Sequence, residues 1–249
     1  MTFAASNGTD VVAGDLADAV AAASLTLARA FAAGATLWCV APEWPAHAEH
    51  VAVEFVHPVI VGTRAFPAIP VGAADPVAGV RVLARPGDVV IVIGTTRATG
   101  IRPLLRRAGA WGLTSIWLGT GPRPEAAWAD HLIWLQGPDA HGPGPGVPGE
   151  AVDFVLAYHL LWELTQVVFE HPGLLTAPVD EPAGEVCITC SDEGRLAEVE
   201  AVTDDAHADV LAGGRRESID VRLVDPVEPG DLVLVHAGVA IAVVDGAEP

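Results

Sequence analysis

Lysine is missing altogether: the 13 basic residues of this 249-residue chain are all arginine. Schiff-base chemistry on a side-chain amine is therefore excluded, as is a phosphate-cradling P-loop lysine. Cysteine is scarce. Of the three, only Cys187 and Cys190 lie close together, so no disulfide framework is available and a reducing compartment is expected. No apolar run reaches the roughly 18 residues a membrane-spanning helix needs. The opening MTFAASNGTD has neither the basic nor the apolar region of a signal peptide, so a cytoplasmic protein away from the membrane is expected. Positive charge is outweighed by 32 acidic residues, for a net charge of −19. That repels phosphate backbones and excludes nucleic acid as an expected partner. It favours a partner with a basic surface.

Hydrophobic residues make up 51% of the chain, ample for one large core or two modest ones. Residues 10–33 repeat with helical period, and Gly34 stops them. Ala35 to Ala41 reads as a strand, and residues 43–57 as a helix with prolines only in its first turn. Short extended pieces follow at 59–62 and 65–71, then a weak helix or turn at 75–85. Val89 to Ile93 is a continuous β-branched run, as in a parallel strand covered on both faces. A helix at 98–111 and strands at 114–118 and 131–135 continue the alternation. Residues 137–149 are a Gly/Pro loop, and 150–170 a strongly apolar helix. This pattern predicts a three-layer α/β fold with a parallel sheet. After residue 184 it changes to short strands at 185–190, 194–203, 207–211, 217–224, 231–235 and 239–244, which predict a small all-β barrel. The expected domains are 1–178 and 185–249, joined by a linker at 179–184. The second holds 15 acidic residues against four arginines.

Two constellations carry chemistry. On the helix of 43–57, His47, His50, Glu54 and His57 are spaced three, four and three apart, which places them on one face. Imidazole and carboxylate at i, i+4 can chelate zinc, and His159 on the late helix can add a ligand. A plain His50–Glu54 contact on a solvated face is the alternative. Near the end, Cys187 and Cys190 form a Cys-x-x-Cys. It is either half of a metal site or a small apolar pair on a strand.

The segments AHAEHVAVEFV (46–56), GDVVIVIGTT (87–96) and the helix of His159 resemble a sugar isomerase (SIS) domain of the phosphoheptose isomerase type. That resemblance implies a metal, such as zinc, on His50, Glu54 and His159, with Glu54 as the general base of an aldose–ketose isomerase. It also implies a phosphosugar-like ligand at Thr95, Thr96, Arg97 and Thr99. The first phosphate loop departs from that pattern. It reads Ala41-Pro42-Glu43-Trp44-Pro45, in which two prolines remove donors and Glu43 repels an anion. The domain is therefore expected to serve dimerisation or ligand binding more than turnover.

The stretch GDLVLVHAGVAIAVVD (230–245), together with Cys187 and RRESIDVRLVDPVEPG (215–230), resembles the HypC/HupF family of nickel–iron hydrogenase maturation chaperones. That resemblance implies an iron carrying cyanide and carbon monoxide, Fe(CN)2CO, bound through the Cys187 thiolate with His236 beside it. It also implies a HypD-type scaffold and the hydrogenase large subunit as partners. Soft thiolate binds low-spin iron and can pass it on. Cys190 stands where the family has other residues and can complete a dithiolate site. Three functions are then open: an accessory carrier for hydrogenase maturation, a metal-dependent phosphosugar isomerase, or a non-catalytic sugar-phosphate-binding module. A homo-oligomer is expected in each case.

Overall fold

The structure, a computed structural model, describes residues 8–58, 62–72, 74–124, 128–135, 148–176 and 194–244. Two sheets organise them. The first follows the order α1 (Gly8–Ala32), β1 (Leu37–Val40), α2 (Pro45–Val56), β2 (Ala68–Pro70), α3 (Pro76–Leu83), β3 (Val89–Thr95), α4 (Ile101–Ala108), β4 (Thr114–Thr120), β5 (His131–Leu135), α5 (Pro148–Glu170) and α6 (Pro172–Thr176). Its strands are all parallel and lie in the order β2-β1-β3-β4-β5.

β3 shows why this sheet is buried on both sides. Val89, Ile91 and Ile93 pack toward α1, α2 and α5, while Val90 and Val92 pack toward α3 and α4. Side chains alternate across a strand, so a run apolar at every position needs a helical layer on each face. The three-layer α/β architecture expected from the sequence is the one observed. Asp88, just before β3, is buried and accepts from the Thr36 backbone (2.8 Å), the Trp38 indole (2.9 Å) and the Arg85 backbone (2.9 Å), tying β1 to β3.

The second sheet is a closed barrel of β6 (Arg195–Val202), β7 (His207–Ala212), β8 (Arg215–Asp220), β9 (Leu232–His236) and β10 (Val239–Val243), in the order β10-β8-β7-β6-β9. Small and β-branched residues fill it, including Ala197, Val199, Val210, Val233 and Ala240. Closure leaves no open sheet edge.

Several expected boundaries moved. The extended run at 217–224 ends at Asp220, whose carboxylate accepts the Arg222 backbone N–H (2.9 Å) and turns the chain away. Residues 172–176 form a short further helix, α6. The expected strand at 185–190, the linker at 179–184 and most of the piece at 59–62 lie outside the described residues.

The two sheets share a junction. Leu211 and Leu232 of the barrel join the core layer built by Leu104, Leu105, Ala108 and Trp111. Gly214, at φ +73°, donates its N–H to the Ala110 carbonyl (2.8 Å). A Cβ there would lie 2.6 Å from the Pro86 ring, so no other residue fits without displacement.

Candidate functional site

His50 and Glu54 lie one turn apart on α2, and α5 packs against that turn. Three ligand atoms converge there. The His50 Nε2 to Glu54 Oε1 distance is 3.1 Å, His159 Nε2 to the same oxygen is 3.2 Å, and the two Nε2 atoms are 3.4 Å apart. A tetrahedral ion with bonds near 2.0–2.1 Å has ligand–ligand edges of about 3.3–3.4 Å. The triangle therefore matches one face of a tetrahedron and leaves a fourth position outward. The two imidazoles are about 40% exposed and Glu54 is largely covered, at 40%, 42% and 14%. An ion can reach the face from solvent while the carboxylate stays partly desolvated. Among the described residues this is the one grouping of three such side chains.

Tyr158, the chain's single tyrosine, sits behind the triangle. Its hydroxyl lies 2.7 Å from His50 Nδ1. Burial, and then the Glu54 charge, push the phenol up to about 12, so it remains protonated at neutral pH. In the tautomer with Nδ1 protonated, that N–H donates to the phenol oxygen and the Nε2 lone pair is left for the triangle. Outer partners orient metal-binding imidazoles in this way. The sequence reading passed over Tyr158, although its position next to His159 was a signal.

Two histidines expected on the same face stand elsewhere. His47 turns toward Trp44, Phe154 and Tyr158, with ring centroids 5.4 Å from Phe154. Burial, and secondarily His50, lower its pKa. His57 lies beyond the end of α2 as its C-cap, where the backbone has left helical geometry. A helical wheel places residues by angle alone. The end of the helix and the aromatic shelf of α5 decided which imidazoles met.

Thr95 ends β3, and Thr96, Arg97 and Thr99 form the turn into α4. Thr95 is engaged from within the chain: its backbone N–H donates to Glu43 Oε2 (2.8 Å) and its hydroxyl to Glu43 Oε1 (3.2 Å).

In the barrel, His236 ends β9 and is exposed. It pairs with Val239 across a two-residue hairpin whose central residues, Ala237 and Gly238, have φ of 50° and 77°. Positive φ at both positions is the type I′ arrangement. Cys187 and Cys190 lie outside the described residues. The strand register shows where the chain coming from them enters: Arg195 pairs with Val235, so residue 194 is level with His236.

Residues 194–249 match the HupF/HypC family. The match spans all five barrel strands and His236. No curated protein matches the chain. Among solved structures, a phosphoheptose isomerase from Francisella tularensis is similar at 15% identity and a TM-score of 0.48, covering 60% of this chain and 86% of that one. The phosphoheptose isomerase of Neisseria gonorrhoeae is similar at 20% identity and a TM-score of 0.45, covering 60% and 85%. The sugar isomerase domain of an RpiR transcription factor from Sphaerobacter thermophilus stands at 16% and 0.45, covering 64% and 81%. The family match covers the barrel alone, and the similar solved structures cover 60–64% of the chain. Among the described residues, no helix is long and apolar enough to cross a membrane.

Proposed function

We propose that this protein is an accessory carrier in hydrogenase maturation, working in the cytoplasm. Its cargo is the Fe(CN)2CO unit, held by the Cys187 thiolate with His236 beside it. Its partners are a HypD-type scaffold and the hydrogenase large subunit. The observation that carries this reading is the HupF/HypC match over a closed barrel that presents His236 level with the incoming chain. From residue 194, Cys190 is four residues upstream, within about 14 Å of extended chain, and Cys187 is within about 25 Å. Either thiol can therefore reach the imidazole. Thiolate binds the soft iron centre and, being exchangeable, can release it to another cysteine. An exposed imidazole can stabilise that thiolate or take a ligand position.

The test is anaerobic purification with a HypD-type scaffold present. Wild-type protein is expected to copurify with the scaffold and with iron. Cys187→Ala is expected to lose both, and Cys190→Ser to lower the iron content. Full partner binding and normal hydrogenase maturation by Cys187→Ala would overturn the assignment.

The triangle of His50, Glu54 and His159 supports a second, resident metal in the α/β part, with zinc suited to the nitrogen and oxygen donors. When bound, such an ion polarises an oxygen of a ligand at the open position. His50 and His159 hold it, Glu54 supplies the anionic donor, and Tyr158 orients the His50 ring. An aldose–ketose isomerase with Glu54 as base uses the same residues. Turnover of sedoheptulose phosphate that disappears in Glu54→Gln would favour that activity. Its absence in metal-loaded protein leaves the α/β part to dimerisation or ligand binding.

A further inference from the structure

The order of the parallel sheet marks one place where a ligand is expected. β1 lies between β2 and β3, so the chain builds outward on one side of β1, then crosses over and continues through β3, β4 and β5 on the other. Open parallel sheets take ligands in the crevice at such a reversal, outside the carboxyl ends of the strands. Here that crevice is bordered by the loop after β1 and the turn after β3.

The protein's own carboxylate already occupies it. Glu43, three residues past β1, accepts the Thr95 backbone N–H at 2.8 Å and the Thr95 hydroxyl at 3.2 Å. The Thr95 hydroxyl in turn accepts the Arg97 backbone N–H at 3.2 Å. Gly94 keeps the spot uncrowded, since a Cβ there would lie 2.5 Å from Ile101 Cδ1 and 3.2 Å from Glu43 Oε2. The next residue, Trp44, packs on Phe154 of α5 with ring centroids 5.3 Å apart and holds the loop in place. The Thr95 N–H, the Thr95 hydroxyl and the Arg97 N–H are thus engaged, and Glu43 sets a carboxylate beside them.

We propose that Glu43 is a resident anion that holds the Thr95 donors of the switch-point crevice and so excludes phosphate and carboxylate groups from them. The inference is independent of cargo carriage by the barrel.

The experiment measures binding of inorganic phosphate to the full-length, metal-free protein by calorimetry, with sulfate as a second probe. Wild-type protein is expected to bind neither. Glu43→Ala frees the Thr95 donors and removes the charge, and is expected to bind phosphate at least about tenfold more tightly, the scale of one charge-assisted hydrogen bond. Glu43→Gln keeps an acceptor in place and is expected to gain less. The Thr95 amide resonance is expected to move in both variants and to move again with phosphate, further in Glu43→Ala than in Glu43→Gln. Phosphate binding by wild type as tight as by the variants would overturn the proposal, and so would folded variants that gain nothing.

Discussion

The Glu198 carboxylate of β6 accepts the indole N–H of Trp111, which follows α4, at 2.7 Å. The same carboxylate takes the Arg81 guanidinium from α3 at 2.8 Å, and Arg107 stands 3.8 Å away. Glu200 adds a second bond to Arg81 at 2.9 Å. A buried acid in the barrel wall is therefore satisfied by side chains of the α/β part. Each part supplies what the other would leave unpaired.

Removing that acid should loosen the junction. Glu198→Ala leaves the Trp111 N–H without its acceptor and Arg81 with Glu200 alone, at a cost of roughly 1–3 kcal/mol. At about 2–4 °C per kcal/mol for a chain of this size, the melting temperature is expected to fall by about 2–12 °C. Trp111→Phe should cost less. In a double-mutant cycle the two should couple by about 0.5–3 kcal/mol, as contacting residues do. Strict additivity would mean that the contact carries no energy.

The metal triangle makes a separate prediction. Zinc added to metal-free protein should bind with a stoichiometry of one in the α/β part and raise the melting temperature, because it binds the folded chain preferentially. His50→Ala and His159→Ala should each abolish the thermal shift. Tyr158→Phe keeps all three donor atoms but removes the partner of His50 Nδ1, and should weaken zinc by about 10–100-fold. Unchanged affinity in Tyr158→Phe would show that the phenol plays no part.

Acid should destabilise the fold through two half-buried imidazoles. Burial lowers the pKa of His47, with His50 adding to the effect, and burial lowers that of His131 against the opposing pull of Asp130. An imidazole with a depressed folded pKa takes up its proton in the unfolded chain first. Its contribution is intact above the unfolded value near 6.5 and is lost as pH falls from there through the folded value. In chelator-treated protein, melting temperature is expected to drop between pH 7.5 and 5. The double variant His47→Gln/His131→Gln should show a shallower drop over that interval. An equal slope in the two proteins would assign the acid sensitivity to other groups.

Much of this molecule was written locally. The β-branched run of β3 could only be a strand covered on both faces, and the His50–Glu54 spacing put two donors on one side of α2. The Gly-Asp-x-Val-Leu-Val-His-x-Gly stretch at 230–238 marked the hairpin and placed His236 at its edge. These features depend on period and turn chemistry within a few residues, which sequence carries directly.

Other features needed the chain to close on itself. His159 lies more than a hundred residues from His50, and only the packing of α5 on α2 set its nitrogen 3.4 Å away. The same packing enlisted Tyr158 and turned His47 aside onto Phe154. Glu43 looked like a residue that repels anions. Only the neighbouring of β1 and β3 made it the acceptor for Thr95, and only the docking of the barrel gave Glu198 its donors. Local pattern settles which side chains a segment can offer. Distances between segments are set by how the layers stack, and the chemistry of both candidate sites depends on those distances.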